Sequence, residues 1–212
     1  MLSFIPPLIM IQLYNTSISE TMIANQNTNY IPPKKYLTEE ELSPVKHEYI
    51  DGQVYAMAGA SDAHVTISLN LASALRNYLR GSGCRVYMSD MKAHIETTNI
   101  FFYPDVMVTC DARDKALPNH KKYPCLIVEV LSESTEAFDR GDKFAYYQSL
   151  ATLQEYVLIN QKRQRLECFC RNAEGLWVLH TYTQGSEVYL ASIDFRTSID
   201  SLYEDVAFGE TP

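Results

Sequence analysis

The strongest constraint in this sequence is a pair of acidic residues inside two stretches that are otherwise apolar. Asp105 lies in IFFYPDVMVTC (100–110), and Glu129 lies in CLIVEVL (125–131), a pattern typical of a strand covered on both faces. Burying an ionised carboxylate costs several kcal/mol unless a cation, a metal ion or hydrogen bonds compensate it. The fold must therefore bring compensation to both strands, and Lys143, on the helix expected next, is one candidate.

The pattern of apolar residues predicts an α/β fold with a central mixed β-sheet flanked by helices. A hairpin is expected in HEYIDGQVYAM (47–57), with its turn at Asp51-Gly52. A short helix is expected over 37–42, where Thr38 begins a Thr-x-x-Glu capping signal. Further strands are expected at 84–88, 91–96, 100–110, 125–131, 155–160, 165–171 and 177–182.

Two longer helices are expected, over 61–79 and 139–150. Ser61 or Asp62 can cap the first of them, and His64 stands in its first turn. The apolar stripe expected to face the core consists of Val65, Leu69, Ala72, Leu75 and Leu79.

At 212 residues the chain is long enough for one domain with a substantial core, which we place at 36–212. Residues 1–35 are expected to form a flexible extension. Their apolar start is broken by Pro6 and Pro7, lacks the basic residues of a signal peptide, and is too short to cross a membrane. The five cysteines contain no Cys-x-x-Cys pair, which favours reduced thiols and a cytoplasmic location.

The net charge of −8 argues against a nucleic-acid partner, because phosphates attract lysine and arginine. The charge is unevenly distributed, however. The acidic C-terminal segment, 184–212, holds six acids and one base, so the other 183 residues carry a net charge of only −3. A DNA-binding surface on the remainder of the chain is therefore compatible with the composition.

Five pieces of the chain, taken in order, resemble the PD-(D/E)XK nuclease superfamily and, more closely, a family described as putative restriction endonucleases. These pieces are HEYIDGQVYAM (47–57), His64 at the head of a helix, YPDVMV (103–108), LIVEVLSEST (126–135) and DRGDKFAYYQ (139–148). They lie within 39–169, which is most of the chain. The resemblance implies a restriction-endonuclease-like core.

The resemblance also implies a magnesium site, with manganese as a substitute, on Asp105 and Glu129. Two acids on neighbouring strands suit Mg²⁺ chemically, because this ion binds a few carboxylates and keeps several waters. The backbone carbonyl of Val130 is a further candidate ligand. Glu48 matches an acid that stands early in the family, and it is expected to assist.

The catalytic lysine departs from the superfamily pattern. The position two residues after the second acid is Leu131, whereas Lys143 matches the lysine that the resembling family carries on the following helix. Asp139, Lys143 and Tyr147 would then share one helix face, since they are four residues apart. The alternative is that Asp139 and Lys143 form only a surface ion pair. His64 and Gln148, together with Asp139 and Tyr147, are candidate supporting residues.

The function predicted from these residues is Mg²⁺-dependent hydrolysis of DNA phosphodiester bonds, and the resemblance implies a homodimer. The alternatives are a non-catalytic interaction domain on the same fold, or hydrolysis of another phosphoester. The best phosphate-binding candidates are basic residues in the loop 111–124 and the turn 161–165. They are Lys115, Lys121, Lys122, Lys162, Arg163 and Arg165.

Overall fold

The computed structural model describes residues 30–208, which form two β-sheets and a hairpin with helices packed against them. Five α-helices occur in this range. They are α1 (Pro33–Glu40), α2 (Asp62–Tyr78), α3 (Glu136–Arg140), α4 (Asp142–Tyr147) and α5 (Ile199–Leu202). Within 30–208, none of the helices has the length and apolar character needed to cross a membrane.

The strands form a five-stranded sheet, a six-stranded sheet and a separate hairpin, and the predicted α/β class is confirmed. The strands are β1 (His47–Ile50), β2 (Gln53–Ala56), β3 (Arg85–Met88), β4 (Lys92–Ile95), β5 (Ile100–Phe102), β6 (Val106–Thr109), β7 (His120–Lys121), β8 (Leu126–Leu131), β9 (Glu155–Asn160), β10 (Arg165–Arg171), β11 (Trp177–Thr183), β12 (Glu187–Leu190) and β13 (Phe195–Ser198). The sheet orders are β2-β1-β5-β4-β7 and β11-β10-β9-β8-β6-β3, and β12 pairs with β13. Each large sheet contains one parallel pair, β4–β7 or β8–β9, so both sheets are mixed.

The predicted hairpin is confirmed, with β1 and β2 joined at Asp51-Gly52. Both turn residues have positive φ, 40° and 93°, as a two-residue turn between twisted strands requires. A Cβ atom on Gly52 would meet the ring of Tyr30 at 2.1 Å. Glycine is therefore needed at this position both for its backbone conformation and for the close approach of Tyr30.

Helix α1 begins earlier than predicted, at Pro33 instead of Leu37. Pro33 suits the first turn of a helix, because the N–H that proline lacks would have no partner there. Thr38 is not a cap: its hydroxyl donates to the Lys34 carbonyl inside the helix at 3.0 Å. The expected boundary after residue 35 thus falls within α1, and residues 1–29 of the expected extension lie outside the described residues.

Helix α2 matches the prediction, and the Ser61 hydroxyl accepts a hydrogen bond from the N–H of His64 at 3.2 Å. The predicted apolar stripe is only partly right. Val65 and Leu69 are half exposed, at 50% and 51%. The buried face of α2 packs against one face of the six-stranded sheet. It consists of Ile67, Leu71, Ala72, Leu75 and Leu79.

The single strand predicted over 100–110 is wrong, because the chain divides there into β5 and β6. These two strands belong to different sheets. Tyr103, Pro104 and Asp105 connect them. Proline has no N–H to give to a ladder, so it favours such a crossing point. The crossing places Asp105 directly before β6.

The helix predicted over 139–150 is also divided, into α3 and α4. Gly141 separates them with φ −111° and ψ −104°, far from helical values. The Lys143 side chain still reaches Asp139, at 3.5 Å, across this break.

Cys84 and Cys110 form a disulfide, so the expectation that all five cysteines are reduced thiols is wrong. The two residues adjoin β3 and β6, whose register pairs Arg85 with Thr109. This register brings the cysteine Cα atoms to 4.0 Å, across 26 residues of sequence. Cysteine spacing alone could not reveal a pairing that depends on strand register.

Asp114 organises the loop between β6 and β8. Its buried carboxylate accepts hydrogen bonds from the hydroxyl of Thr109 (2.6 Å) and from the N–H groups of Lys122 (2.8 Å) and Tyr123 (3.2 Å). Asp114→Ala would leave these donors without an acceptor. We therefore expect the variant to lower the free energy of unfolding by about 2 to 3 kcal/mol, measured by urea denaturation.

Asp111→Ala is the matched control in the same loop. Asp111 pairs with the exposed Arg113 at 2.5 Å, a contact that contributes little to stability, and it accepts one hydrogen bond from the N–H of Arg113 at 2.9 Å. Loss of that single hydrogen bond should lower the free energy of unfolding clearly less than Asp114→Ala does. Equal losses in the two variants would contradict the organising role of Asp114.

Candidate active site

Two strands of the six-stranded sheet bring Asp105 and Glu129 together, as the sequence predicts. The register between β6 and β8 pairs Val106 with Val128, which sets Asp105 beside Glu129. The N–H of Asp105 donates to Glu129 Oε2 at 3.4 Å, and the N–H of Val130 donates to Asp105 Oδ2 at 2.7 Å. The backbone of each strand thus holds the carboxylate of the other.

Lys143 lies at the centre of this group and contacts two further carboxylates. Its Nζ is 3.0 Å from Glu129 Oε1, 3.2 Å from Glu48 Oε1 and 3.5 Å from Asp139 Oδ1. The side chains of Lys143 and Asp139 are 7% and 3% exposed. The alternative of a surface ion pair between them is therefore wrong. We call Glu48, Asp105, Glu129, Asp139 and Lys143 the carboxylate cluster.

The carboxylate cluster carries more negative than positive charge. Burial raises the pKa of Glu129 well above its ordinary value; Lys143 opposes this rise and the neighbouring carboxylates add to it. Burial alone would lower the pKa of Lys143, but Glu129, Glu48 and Asp139 hold it above its ordinary value. One buried ammonium is thus shared by several carboxylates, and a further cation would reduce their repulsion.

His64 and Tyr147 hold the two strand carboxylates in place. The Nε2 atom of His64 lies 2.8 Å from Asp105 Oδ1, and the Tyr147 hydroxyl donates to Glu129 Oε1 at 3.1 Å. The cap at Ser61 fixes the first turn of α2, so the His64 ring is held against Asp105. Both residues are among the candidate supporting residues named from the sequence.

Two other expected contributors are placed differently. The Gln148 side chain is exposed, and its backbone carbonyl accepts a hydrogen bond from Arg171 at 2.5 Å. Gln148 is therefore outside the carboxylate cluster. Val130 contacts Asp105 through its N–H, whereas the sequence analysis assigned a role to its carbonyl.

Two tyrosines make contacts in the site that the sequence analysis missed. The N–H of Tyr103 donates to Glu48 Oε1 at 3.3 Å, and the Tyr156 hydroxyl donates to the Asp139 carbonyl at 2.9 Å. Tyr103 directly precedes the Pro-Asp pair, so its position in the motif was a usable signal. Tyr156 gives no local signal, because β9 meets α3 only in the folded chain.

The basic residues of the loop 111–124 lie at the far end of the sheet from the acids, because this loop connects the end of β6 to the start of β8. Lys121 is buried and donates to the Asp114 carbonyl at 3.0 Å, so its predicted contact with DNA is wrong. Lys122 pairs with Glu96 at 2.6 Å. Lys115 is exposed but shares the distant position of the loop.

The turn after β9 lies at the same end of the sheet as the acids, because β8 and β9 are parallel. Its Gln161 accepts a hydrogen bond from Ser61, the cap of α2, at 2.5 Å. Lys162 and Arg163 in this turn are exposed. Arg165, the third predicted contact, is half buried and pairs with Glu167 at 2.7 Å.

A mixed sheet with flanking helices, one acid directly before a strand and the other within the adjacent strand, is typical of a restriction-endonuclease-like protein. The chain is similar in structure to a protein of Anabaena variabilis ATCC 29413 described as a "putative nuclease belonging to DUF820", with a TM-score of 0.65 and 16% sequence identity. The match covers 79% of this chain and 97% of that one. At this identity the similarity establishes the fold alone.

Residues 33–200 match the model of the Uma2 family, described as "Putative restriction endonuclease". The chain belongs to this family. It is 40% identical to the uncharacterized protein slr1290 of Synechocystis sp., over 88% of this chain and all of that protein. It is 34% identical to the uncharacterized protein sll1609 of the same organism, over 74% of this chain and 90% of that protein. Membership in this family supports a nuclease-like function.

Proposed function

We propose that the chain is a magnesium-dependent endonuclease that hydrolyses phosphodiester bonds of DNA. The observation that carries this proposal is a buried group of four carboxylates around one lysine: Lys143 contacts Glu48, Glu129 and Asp139, and Asp105 lies beside Glu129. Such an excess of negative charge is unfavourable in a protein interior unless a carboxylate takes up a proton, as the raised pKa of Glu129 favours, or another cation binds there. In a protein of a nuclease-like family, that cation would be a catalytic metal ion.

The donor set fits Mg²⁺, which prefers carboxylate oxygens. Asp105 and Glu129 would hold the ion, and Glu48 would assist them. Within the described residues Asp139 Oδ1 accepts no hydrogen bond, and its contact with Lys143 is a long ion pair of 3.5 Å, so this buried oxygen is poorly satisfied. When bound, Mg²⁺ supplies polarisation of the phosphodiester and a lower pKa for a coordinated water. Mn²⁺ suits the same oxygen ligands and would substitute.

The protein's own groups have separate tasks. Lys143 would orient the attacking water with its ammonium group and stabilise charge that develops on the phosphate. His64 and the N–H of Val130 orient the two oxygens of Asp105. Tyr147 orients Glu129 in the same way. These contacts keep the reacting groups in a fixed geometry, which reduces the reorganisation needed during the reaction.

Lys162 and Arg163 are the exposed basic residues proposed to contact the DNA backbone. We expect the double variant Lys162→Ala/Arg163→Ala to bind duplex DNA more weakly, and to reduce the slope of log K against log salt by about 2, because two phosphate contacts are lost. Fluorescence anisotropy at several salt concentrations measures both quantities.

Lys115→Ala is the control for that experiment, since it removes an exposed lysine at the far end of the sheet. It should leave affinity and salt slope nearly unchanged. An equal effect of Lys115→Ala would mean that DNA covers the opposite end of the sheet.

A homodimer is part of the proposal, as the family resemblance implies. Two chains related by a two-fold axis would present one active site to each strand of a duplex. Sedimentation equilibrium of the full chain tests this directly, since a monomer at micromolar concentration would remove it from the proposal.

The experiment that tests the function is cleavage of supercoiled plasmid by the wild-type chain with Mg²⁺ or Mn²⁺, beside the same reaction in EDTA. Nicking that requires the metal is the expected result. If no nicking occurs, calorimetric titration with Mn²⁺ separates the two alternatives. Binding without cleavage would favour another phosphoester as substrate, and absence of binding would favour a non-catalytic interaction domain.

The acidic net charge and Leu131 in the usual lysine position are the observations that favour the alternatives. An enclosed pocket at the acids would favour a small phosphoester. Among the described residues, a surface cavity of about 430 Å³ is lined by Arg76, Arg85 and Lys115, at the end of the sheet away from the acids. DNA remains the substrate that we propose.

A further inference from the structure

A second group of metal-ligating side chains lies on the opposite face of the six-stranded sheet. Glu155, Cys168 and Cys170 place a carboxylate oxygen and two sulfurs all within 4.8 Å of one another. The two sulfurs are 3.4 Å apart, and Glu155 Oε1 is 3.7 Å from Cys168 Sγ and 3.4 Å from Cys170 Sγ.

The register of the strands creates this group. Cys168 and Cys170 are two residues apart on β10, so their side chains share a face, and Cys170 lies directly opposite Glu155 on β9. Val157 lies opposite Cys168 and packs in the core beneath α2. Leu158 lies opposite Glu129 and packs in the core on the other face of the sheet. The group is therefore separate from the carboxylate cluster.

Glu155 is held in a position suited to a cation. It is 1% exposed, yet no lysine, arginine or histidine of the described residues pairs with it within 4.0 Å. Its oxygens accept hydrogen bonds from the N–H groups of Ala191 (2.9 Å) and Ser192 (3.0 Å) and from the Ser192 hydroxyl (2.5 Å). These donors fix the orientation of the carboxylate, as outer-shell partners of metal ligands do, and leave Oε1 facing the sulfurs.

We propose that Glu155, Cys168 and Cys170 bind a zinc ion, with His180 as the fourth ligand. His180 lies directly opposite Cys168 on β11, so the two side chains share a face of the sheet. Its side chain is exposed, and it would rotate to bring an imidazole nitrogen to the group when the metal binds. Two sulfurs, one imidazole and one carboxylate form a tetrahedral donor set for Zn²⁺, and thiolates disfavour Mg²⁺.

Zinc enters by displacing protons. When Zn²⁺ binds, each thiol loses its proton to solvent and each resulting thiolate forms a bond to the metal. Cys170 is half buried and His180 is exposed, so the ion can enter from the β11 side.

The zinc ion has a structural role in this proposal. Glu155 already connects β9 to the residues that follow β12, through Ala191 and Ser192. A bound ion adds β10 and β11 to the same connection. Zinc should therefore stabilise the attachment of the C-terminal hairpin, β12–β13, to the six-stranded sheet.

The test is titration of the metal-free full chain, with the Cys84–Cys110 disulfide intact and the other thiols free, with Co²⁺ followed by Zn²⁺. The expected result is a near-ultraviolet thiolate-to-cobalt charge-transfer band with the visible bands of tetrahedral Co²⁺, both removed by Zn²⁺. The carboxylate cluster cannot give this signal, because it contains no sulfur. Zinc should also raise Tm by about 5 to 10 °C at about a hundredfold above its dissociation constant.

Matched variants identify the ligands. Cys168→Ala and Cys170→Ala should lose the charge-transfer band, whereas Cys125→Ala and Glu129→Gln should keep it. His180→Ala should shift the visible bands. The absence of the band in the wild type, or its persistence in Cys170→Ala, would overturn the proposal. An unchanged spectrum in His180→Ala would overturn the assignment of the fourth ligand. None of these readouts depends on nuclease activity.

Discussion

Replacing Glu129 with glutamine should reduce metal-dependent nicking by about 100- to 1,000-fold while leaving the chain at least as stable as the wild type. Glutamine keeps one oxygen, which can accept the hydrogen bond of Tyr147, and it loses only the long 3.4 Å contact with the Asp105 N–H. It also removes one ionisable carboxyl from the overly negative carboxylate cluster. Lys143 retains Glu48 and Asp139 as partners. Plasmid nicking rates and urea denaturation of the same samples measure the two effects.

Glu167→Gln is the matched control and should show the opposite pattern. Glu167 is also a buried strand glutamate, but it stands between two cations, Arg140 at 2.5 Å and Arg165 at 2.7 Å. Burial alone would raise the pKa of Glu167, yet hydrogen bonds from the two arginines hold it below its ordinary value. We expect this variant to lose stability and keep its nicking rate. If Glu129→Gln also lost stability and kept its nicking rate, Glu129 would be a structural ion-pair partner and not a metal ligand.

Features of the fold that depend on neighbouring residues were predictable. The Asp51-Gly52 turn follows from two residues that tolerate positive φ, and α2 follows from its Ser61 cap and its helical periodicity. The bounds of β9 and β10 agree with the prediction for the same reason: both are short runs of strand-forming residues, and a polar turn separates them. In each case the information lies within a few residues of the element.

Features that depend on distant residues were not predictable in this way. The division of 100–110 at Pro104 requires a second sheet to receive β5, and periodicity within one apolar run contains no sign of that sheet. The pairing of Cys84 with Cys110 depends on the register of β3 with β6. Lys121 was misassigned because the backbone carbonyls that receive its ammonium become visible only once the loop is folded.

The candidate site falls between these two cases. Asp105 and Glu129 were identifiable because a charge inside an apolar strand is conspicuous in the sequence. The position of Lys143 was supplied by family resemblance. The burial of Asp139 was not predicted. Helical periodicity assigns a residue to one face of a helix, but it does not show whether other parts of the protein cover that face.

Replacing Lys143 with methionine should both abolish nicking and destabilise the chain, by about 3 to 5 kcal/mol in the absence of divalent metal. Lys143 is the cation that contacts Glu48, Glu129 and Asp139 within the described residues. Methionine has a similar length and fills the space beside Phe102, so the loss would come from the uncompensated carboxylates and not from a cavity. Urea denaturation with and without Mg²⁺ measures it, and added Mg²⁺ should restore part of the stability.

Lys92→Met is the control for Lys143→Met. It removes a buried lysine that lies outside the carboxylate cluster. Lys92 and Lys143 are equally buried, at 6% exposure, but Lys92 lies over the ring of Tyr103 and has no carboxylate partner within 4.0 Å among the described residues. Burial lowers the pKa of Lys92, the opposite of Lys143. Methionine at residue 92 should therefore be neutral or stabilising and leave the nicking rate unchanged. Equal destabilisation by both substitutions would show that the carboxylates do not need the positive charge of Lys143. The charge imbalance from which we infer a metal ion would then be absent.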